Sequence, residues 1–129
     1  MSTFSYSKLY RSFGHALRGL RRLIATEQNA RIHLFATICL GYAAILFHLQ
    51  ALEAAVLFFA VVLVFAIEII NTAIEKLLDL VHPESHHQIA FIKDALAGAV
   101  LIASIIAAVV GFLIFYPHIR DLWHNWSVL

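Results

Sequence analysis

The sequence predicts an all-α integral membrane protein: an N-terminal amphipathic surface helix followed by three transmembrane helices in one domain spanning residues 1–129. Three observations predict this class. Hydrophobic residues make up 62% of the 129-residue chain, while charged residues make up only 13%. The mean hydropathy is +0.85, well above that of an ordinary soluble domain. Three stretches are also long and apolar enough to cross a bilayer, and so short a chain has no other material in which to bury them.

The first element covers residues 4–26. Tyr6, Leu9, Phe13, Leu17, Leu20 and Ile24 recur at steps of three or four, which is helical periodicity. Lys8, Arg11, Arg18, Arg21 and Arg22 occupy its other faces, so the helix suits the surface of an anionic membrane. A basic face beside a membrane span, with no base-stacking module, argues against a nucleic-acid partner. Glu27 and Arg31 then stand four apart at the junction into the first span, the spacing of an ordinary helix-surface pair.

The first span, residues 32–49, carries no charge and would be roughly 27 Å long, close to the hydrocarbon thickness. It starts after a long polar segment and lacks a small-residue cleavage pattern, so it reads as retained. Cys39 lies within it as a small packing residue, with no partner for a disulfide or metal set. The second span covers residues 51–80 and the third residues 94–116, the latter uncharged from residue 95 onward. Residues 117–129, with Trp123 and Trp126, read as an outer tail at the interface. Lys8, Arg11, Arg18, Arg21, Arg22 and Arg31 precede the first span against one acid, and the first hairpin has no Lys or Arg. The positive-inside rule therefore expects a cytoplasmic N-terminus and an outside C-terminus. Ala97, Ser104, Ala108 and Gly111 form a small-residue stripe on the third span, for which close helix packing is a sufficient reading.

Residues 68–79 carry the chemistry. Glu68, Glu75 and Asp79 fall within about 40° of one another on a helix, with Asn71 about 60° to one side. Glu68 follows a long apolar run, and an ionisable group at such depth is costly. A tuned polar contact between helices would explain Glu68 alone; the whole stripe points to a functional site facing the bundle interior. With Glu27, Lys93 and Asp94 at the same cytoplasmic depth, the donors are rich in hard oxygens. Such a set suits Mg²⁺, which takes a few carboxylates together with phosphate and water, and a nearby Lys suits a phosphate. A carboxyl group in a low dielectric is a stronger base and can accept a proton from an alcohol. These features together suggest phosphoryl transfer from a nucleotide to a lipid hydroxyl, although no Walker-type or kinase-type Gly-rich loop is present. His82, His86 and His87 invite a zinc reading, but they lack a four-ligand pattern and Cys partners. An oligomeric ion or proton pathway centred on Glu68 is the competing reading; it requires neither Lys93-Asp94 nor the second acidic shell.

The run Glu68-Ile-Ile-Asn71-Thr-Ala-Ile-Glu75-x3-Asp79, then His86 and Lys93-Asp94-x3-Gly98-Ala99-Val100-Leu101, resembles the signature of the small bacterial membrane kinases, the prokaryotic diacylglycerol kinases and their undecaprenol kinase relatives. The resemblance covers roughly residues 13–115. It implies a homotrimer in the bacterial inner membrane, with sites between subunits at the cytoplasmic boundary, ATP as donor and Mg²⁺ as cofactor. By position, Glu68 resembles the catalytic base, and Glu27 and Glu75 the metal-binding carboxylates. Lys93 and Asp94 resemble the nucleotide-binding pair, Glu84, Ser85 and His86 the nucleotide-contacting loop, and Asn71 and Asp79 polar positions of the site. Lys8 and His15 align with nucleotide contacts on the surface helix, His15 standing where diacylglycerol kinases have tyrosine. Residues 27–34 and 111–115 look more like the undecaprenol branch, so undecaprenol is the expected acceptor and diacylglycerol the alternative. Three helices scarcely shield Glu68, so self-association is also expected on physical grounds.

Overall fold

The computed structural model describes residues 5–82 and 87–126. The chain forms four helices in the order α1 (Tyr6–Thr26), α2 (Gln28–Leu46), α3 (Ala51–Val81) and α4 (His87–Trp126). Three segments, Gln28–Leu46, Ala51–Val81 and His87–His124, are long and apolar enough to cross a membrane. Tyr6, Tyr10, Phe13 and Leu17 of α1 are exposed, and only Leu23 of this helix is buried by protein. An apolar face left uncovered by protein is what a helix lying in the membrane surface presents.

The break between α1 and α2 is a single residue. Glu27 adopts extended backbone angles (φ −104°, ψ 126°). Its N–H donates to the Leu23 carbonyl at 2.8 Å, which satisfies α1, and its carbonyl accepts from the Arg31 N–H at 3.4 Å, which starts α2. The turn between α2 and α3 closes differently. The His48 N–H donates to the Ile45 carbonyl at 3.2 Å and the Leu49 N–H to the Ala44 carbonyl at 3.1 Å. That pattern is a Schellman cap, and it forces His48 into the left-handed region with φ 51°. The next helix is capped from within, the Gln50 N–H donating to Glu53 Oε2 at 2.9 Å.

α4 differs most from the sequence expectation. It starts at His87 rather than 94 and continues through Pro117 to Trp126, so the first ten residues of the expected tail are helical. Contacts on both sides of the proline outweigh its missing N–H. Phe115 meets Phe47 edge-to-face at 5.7 Å, and His118 Nε2 lies 3.2 Å from Glu53 Oε1. At 1.5 Å per residue α4 is about 60 Å long, about twice the hydrocarbon thickness.

α3 packs most extensively on α4, with α2 against α3. The buried residues of α3 are Leu57, Val64, Glu68, Asn71 and Thr72, at steps of seven, four, three and one. One packing stripe therefore runs along the helix, apolar up to Val64 and polar from Glu68. The buried apolar residues of α4 are Val100, Ala103 and Phe115. Large apolar side chains such as Phe35, Phe58, Ile102 and Phe112 point outward, available to lipid or to another subunit.

Candidate functional site

A cavity of about 320 Å³ opens where the α3 stripe turns polar. Glu27 and Asn29 reach it from the α1–α2 junction and His33 from α2; Glu68, Asn71, Thr72 and Glu75 reach it from α3. Ala97, Val100, Leu101 and Ser104 of α4 close the far wall. Glu27, Glu68, Asn71 and Glu75, singled out by sequence, thus meet in one space.

Among the described residues Glu68 is the largest fully buried side chain, only 2% exposed within a single chain, so the expectation that three helices scarcely shield it does not hold; Asn71 is 6% exposed. Among the described residues, Glu68 Oε2 and Asn71 Oδ1 have no hydrogen-bond partner although both are buried. An unsatisfied buried oxygen costs about 1–3 kcal/mol, and two of them in one cavity signal groups kept for a ligand. Glu75 is half-buried.

Glu27 is the carboxylate that already has partners. Lys76 Nζ lies 2.8 Å from its Oε1, and the Thr26 hydroxyl lies 3.0 Å from the same oxygen. The Lys76 hydrogen bond, followed by that from Thr26, holds the Glu27 carboxyl below the usual carboxylate range. Asp79 and Lys93 pair with each other where the C-terminal end of α3 meets the N-terminal end of α4, outside the cavity lining. Asp94 follows Lys93 on α4, exposed and also outside the lining. Lys8 and His15 are exposed on α1, where the Lys8 carbonyl accepts from the Ser12 hydroxyl and His15 Nδ1 lies 3.0 Å from an Arg18 nitrogen. Glu84, Ser85 and His86 lie outside the described residues.

No cluster of three or more His, Cys, Asp or Glu side chains able to hold a metal ion occurs among the described residues. Three carboxylates (Glu27, Glu68 and Glu75) and two amides (Asn29 and Asn71) at one cavity nevertheless fit Mg²⁺, which binds through one or two carboxylates and completes its shell with phosphate and water. The orphaned oxygens of Glu68 and Asn71 are hard donors of the same kind.

Sequence reasoning missed Asn29, His33, Thr72 and Ser104. Asn29 and His33 stand four apart on α2 and so share a face, a local signal that was available. The small-residue stripe also does more than pack. Ala97 and Ser104 line the cavity, and a Cβ on Gly111 would meet nothing within 4 Å, so small side chains here leave space. Ser104 and His33 also line a neighbouring apolar groove of about 300 Å³ with Ala36, Val64, Ala108 and Gly111.

A sequence profile of the prokaryotic diacylglycerol kinases matches residues 14–115. The chain belongs to this family. A diacylglycerol kinase of Synechocystis is 42% identical over 86% of the chain, which spans 64% of that relative's length. The undecaprenol kinase of Bacillus subtilis is 34% identical over 86% of the chain and 90% of its own length. A diacylglycerol kinase of Escherichia coli is 28% identical over 91% of the chain and 96% of its own. The helical membrane architecture and the enzyme class expected from the sequence, a membrane lipid kinase, are those of this family, and the ion-pathway reading gives way to it.

Proposed function

We propose that the protein transfers the γ-phosphoryl group of ATP to the hydroxyl of a membrane lipid alcohol, with undecaprenol as the preferred acceptor. The observation that carries this reading is Glu68: a buried carboxylate with a free oxygen, in a cavity shared with Glu27 and Glu75. Glu27 and Glu75 would hold Mg²⁺, whose charge neutralises the transferring phosphate. Glu68 accepts the alcohol's proton as the hydroxyl oxygen attacks the γ-phosphorus and ADP departs. Asn71 orients the reacting groups. Lys93, Asp94 and Asp79, at the cytoplasmic ends of α3 and α4, stand on the side from which a soluble nucleotide arrives, with Lys8, His15 and the 84–86 loop as further contacts.

The apolar groove supports a lipid acceptor. It shares His33 and Ser104 with the cavity, so a chain lying in it would present its hydroxyl towards Glu68. Diacylglycerol is the second reading, favoured by the 42% identity to the Synechocystis diacylglycerol kinase. The assay is transfer of label from γ-labelled ATP in nanodiscs containing either purified undecaprenol or diacylglycerol. Faster labelling of undecaprenol is expected; exclusive labelling of diacylglycerol would reverse the substrate assignment, and labelling of neither would end the kinase reading.

A homotrimer in the bacterial inner membrane, with the N-terminus cytoplasmic and sites completed between subunits, belongs to the same proposal. The many outward apolar side chains and the openness of Ala97 and Leu101 beside the cavity support it. Native mass measurement in detergent tests the stoichiometry.

A further inference from the structure

Lys76 is a cation set by the fold directly on a site carboxylate. It follows Glu75 on α3 and is therefore turned about 100° away from it, towards α1 rather than into the catalytic cavity. There it lines a second cavity of about 660 Å³ with Arg22 and Thr26 of α1 and Thr72 of α3. Glu27 stands at the boundary: its side chain lines the catalytic cavity, while Lys76, 2.8 Å from Oε1, belongs to the neighbouring one. The two partners differ in freedom. The Lys76 side chain is 62% exposed and can swing into water, whereas Glu27 is 26% exposed and anchored at the helix break.

From this geometry we infer that Lys76 competes with the divalent cation for Glu27. It is a positioning residue that neutralises the carboxylate before loading and is displaced when the cation arrives, so cation capture and ammonium release are one exchange. The inference rests on Glu27 being a metal ligand, as proposed above. An ammonium at 2.8 Å and a divalent ion cannot both take Oε1 at full strength, because the two like charges would then be adjacent. The concentration at which the site fills is therefore set in part by a residue outside the lining of the catalytic cavity.

The test is Mn²⁺ binding, followed by electron paramagnetic resonance, to the full chain in lipid nanodiscs without nucleotide. Lys76→Gln and Lys76→Met are expected to bind Mn²⁺ about three- to fivefold more tightly than wild type, the range of a partly exposed ion pair. Lys76→Arg restores the wild-type affinity. Arg22→Gln removes the same charge from the same cavity without touching Glu27, and shifts affinity less than Lys76→Gln. Unchanged or weaker binding in Lys76→Gln, or an equal gain in Arg22→Gln, overturns the competition. Glu27→Gln separates the two layers. If it abolishes the Mn²⁺ site while Lys76→Gln behaves as wild type, only this inference fails; if it leaves Mn²⁺ binding intact, the metal-ligand reading itself fails. Should the variants not fold, the unaltered protein gives the answer by mass spectrometry of amine acetylation. Lys76 should label about threefold faster at saturating Mg²⁺, in line with release from an exposed ion pair, and an unchanged rate overturns the exchange.

Discussion

Replacing Glu68 by glutamine separates a catalytic carboxylate from a structural one. The substitution keeps the shape of a side chain that is 2% exposed and removes its capacity to accept a proton. A positioned general base contributes about 10²- to 10⁴-fold, equivalent to roughly 2.7–5.5 kcal/mol of barrier. Turnover in Glu68→Gln should fall by that factor. Stability should behave in the opposite way. Glu68 Oε2 makes no hydrogen bond among the described residues, so none is broken there. The new amide stands one helical turn from Asn71 Oδ1, itself buried and unpartnered, and can donate to it. A neutral amide is also cheaper to bury than an ionised carboxyl group. Glu68→Gln is therefore expected to unfold at the same temperature as wild type or above it. The assay pairs label transfer from ATP to lipid with thermal unfolding in one detergent. More than about a tenth of wild-type turnover would refute the base assignment, since the smallest expected loss is about a hundredfold. Destabilisation beyond about 1 kcal/mol would show instead that Glu68 serves as a polar contact between helices.

Further consequences concern the frame around the site. The Glu27 carboxyl titrates below its unfolded value of about 4.3, so its contribution to stability is complete above that pH and fades as pH falls through the lower folded value. The difference in thermal midpoint between wild type and Glu27→Gln should thus be constant from about pH 8 to 5.5 and shrink below about pH 4. His48 holds a left-handed conformation at the Schellman cap, and His48→Gly should stabilise by up to about 1 kcal/mol, while His48→Val should destabilise. Ala103 is 3% exposed between α3 and α4, so Ala103→Leu should overpack that seam and cost about 1–3 kcal/mol in denaturation measurements.

What the sequence discloses divides along the line between local and long-range order. Three spans and a surface helix follow from hydropathy and period, and α3 begins at Ala51 as that pattern suggests. The stripe of Glu68, Asn71, Glu75 and Asp79 was legible because helical spacing alone puts these residues on one side, although Asp79 at its end pairs with Lys93 outside the cavity lining. Element ends were harder. Pro117 reads locally as a stop, yet α4 passes through it because Phe115 and His118 are held by Phe47 and Glu53, residues far away in sequence. The same holds for the site. Glu27 looked like half of an ordinary pair with Arg31, but its carboxylate meets Lys76 of α3 instead, and the Arg31 side chain reaches only its carbonyl. Ser104 read as a packing residue until α3 and α4 were seen to leave a cavity there.

Under the proposed reaction, the place of Glu68 along α3 suits it to an acceptor carried in the membrane. Four residues earlier on the same stripe, Val64 lines the apolar groove, where a carboxylate would have no polar cavity beside it. Seven residues later, Glu75 also lines the cavity but is partly exposed, so water competes for it. Glu68 falls between, buried from solvent yet open to the cavity, where the groove ends in His33 and Ser104. Under the proposed reaction, a hydroxyl arriving along the groove reaches the base without crossing bulk water, and a nucleotide approaches from the Asp79–Lys93 side. Under that reaction, the burial of Glu68 limits the access of bulk water to the base and so favours transfer over hydrolysis.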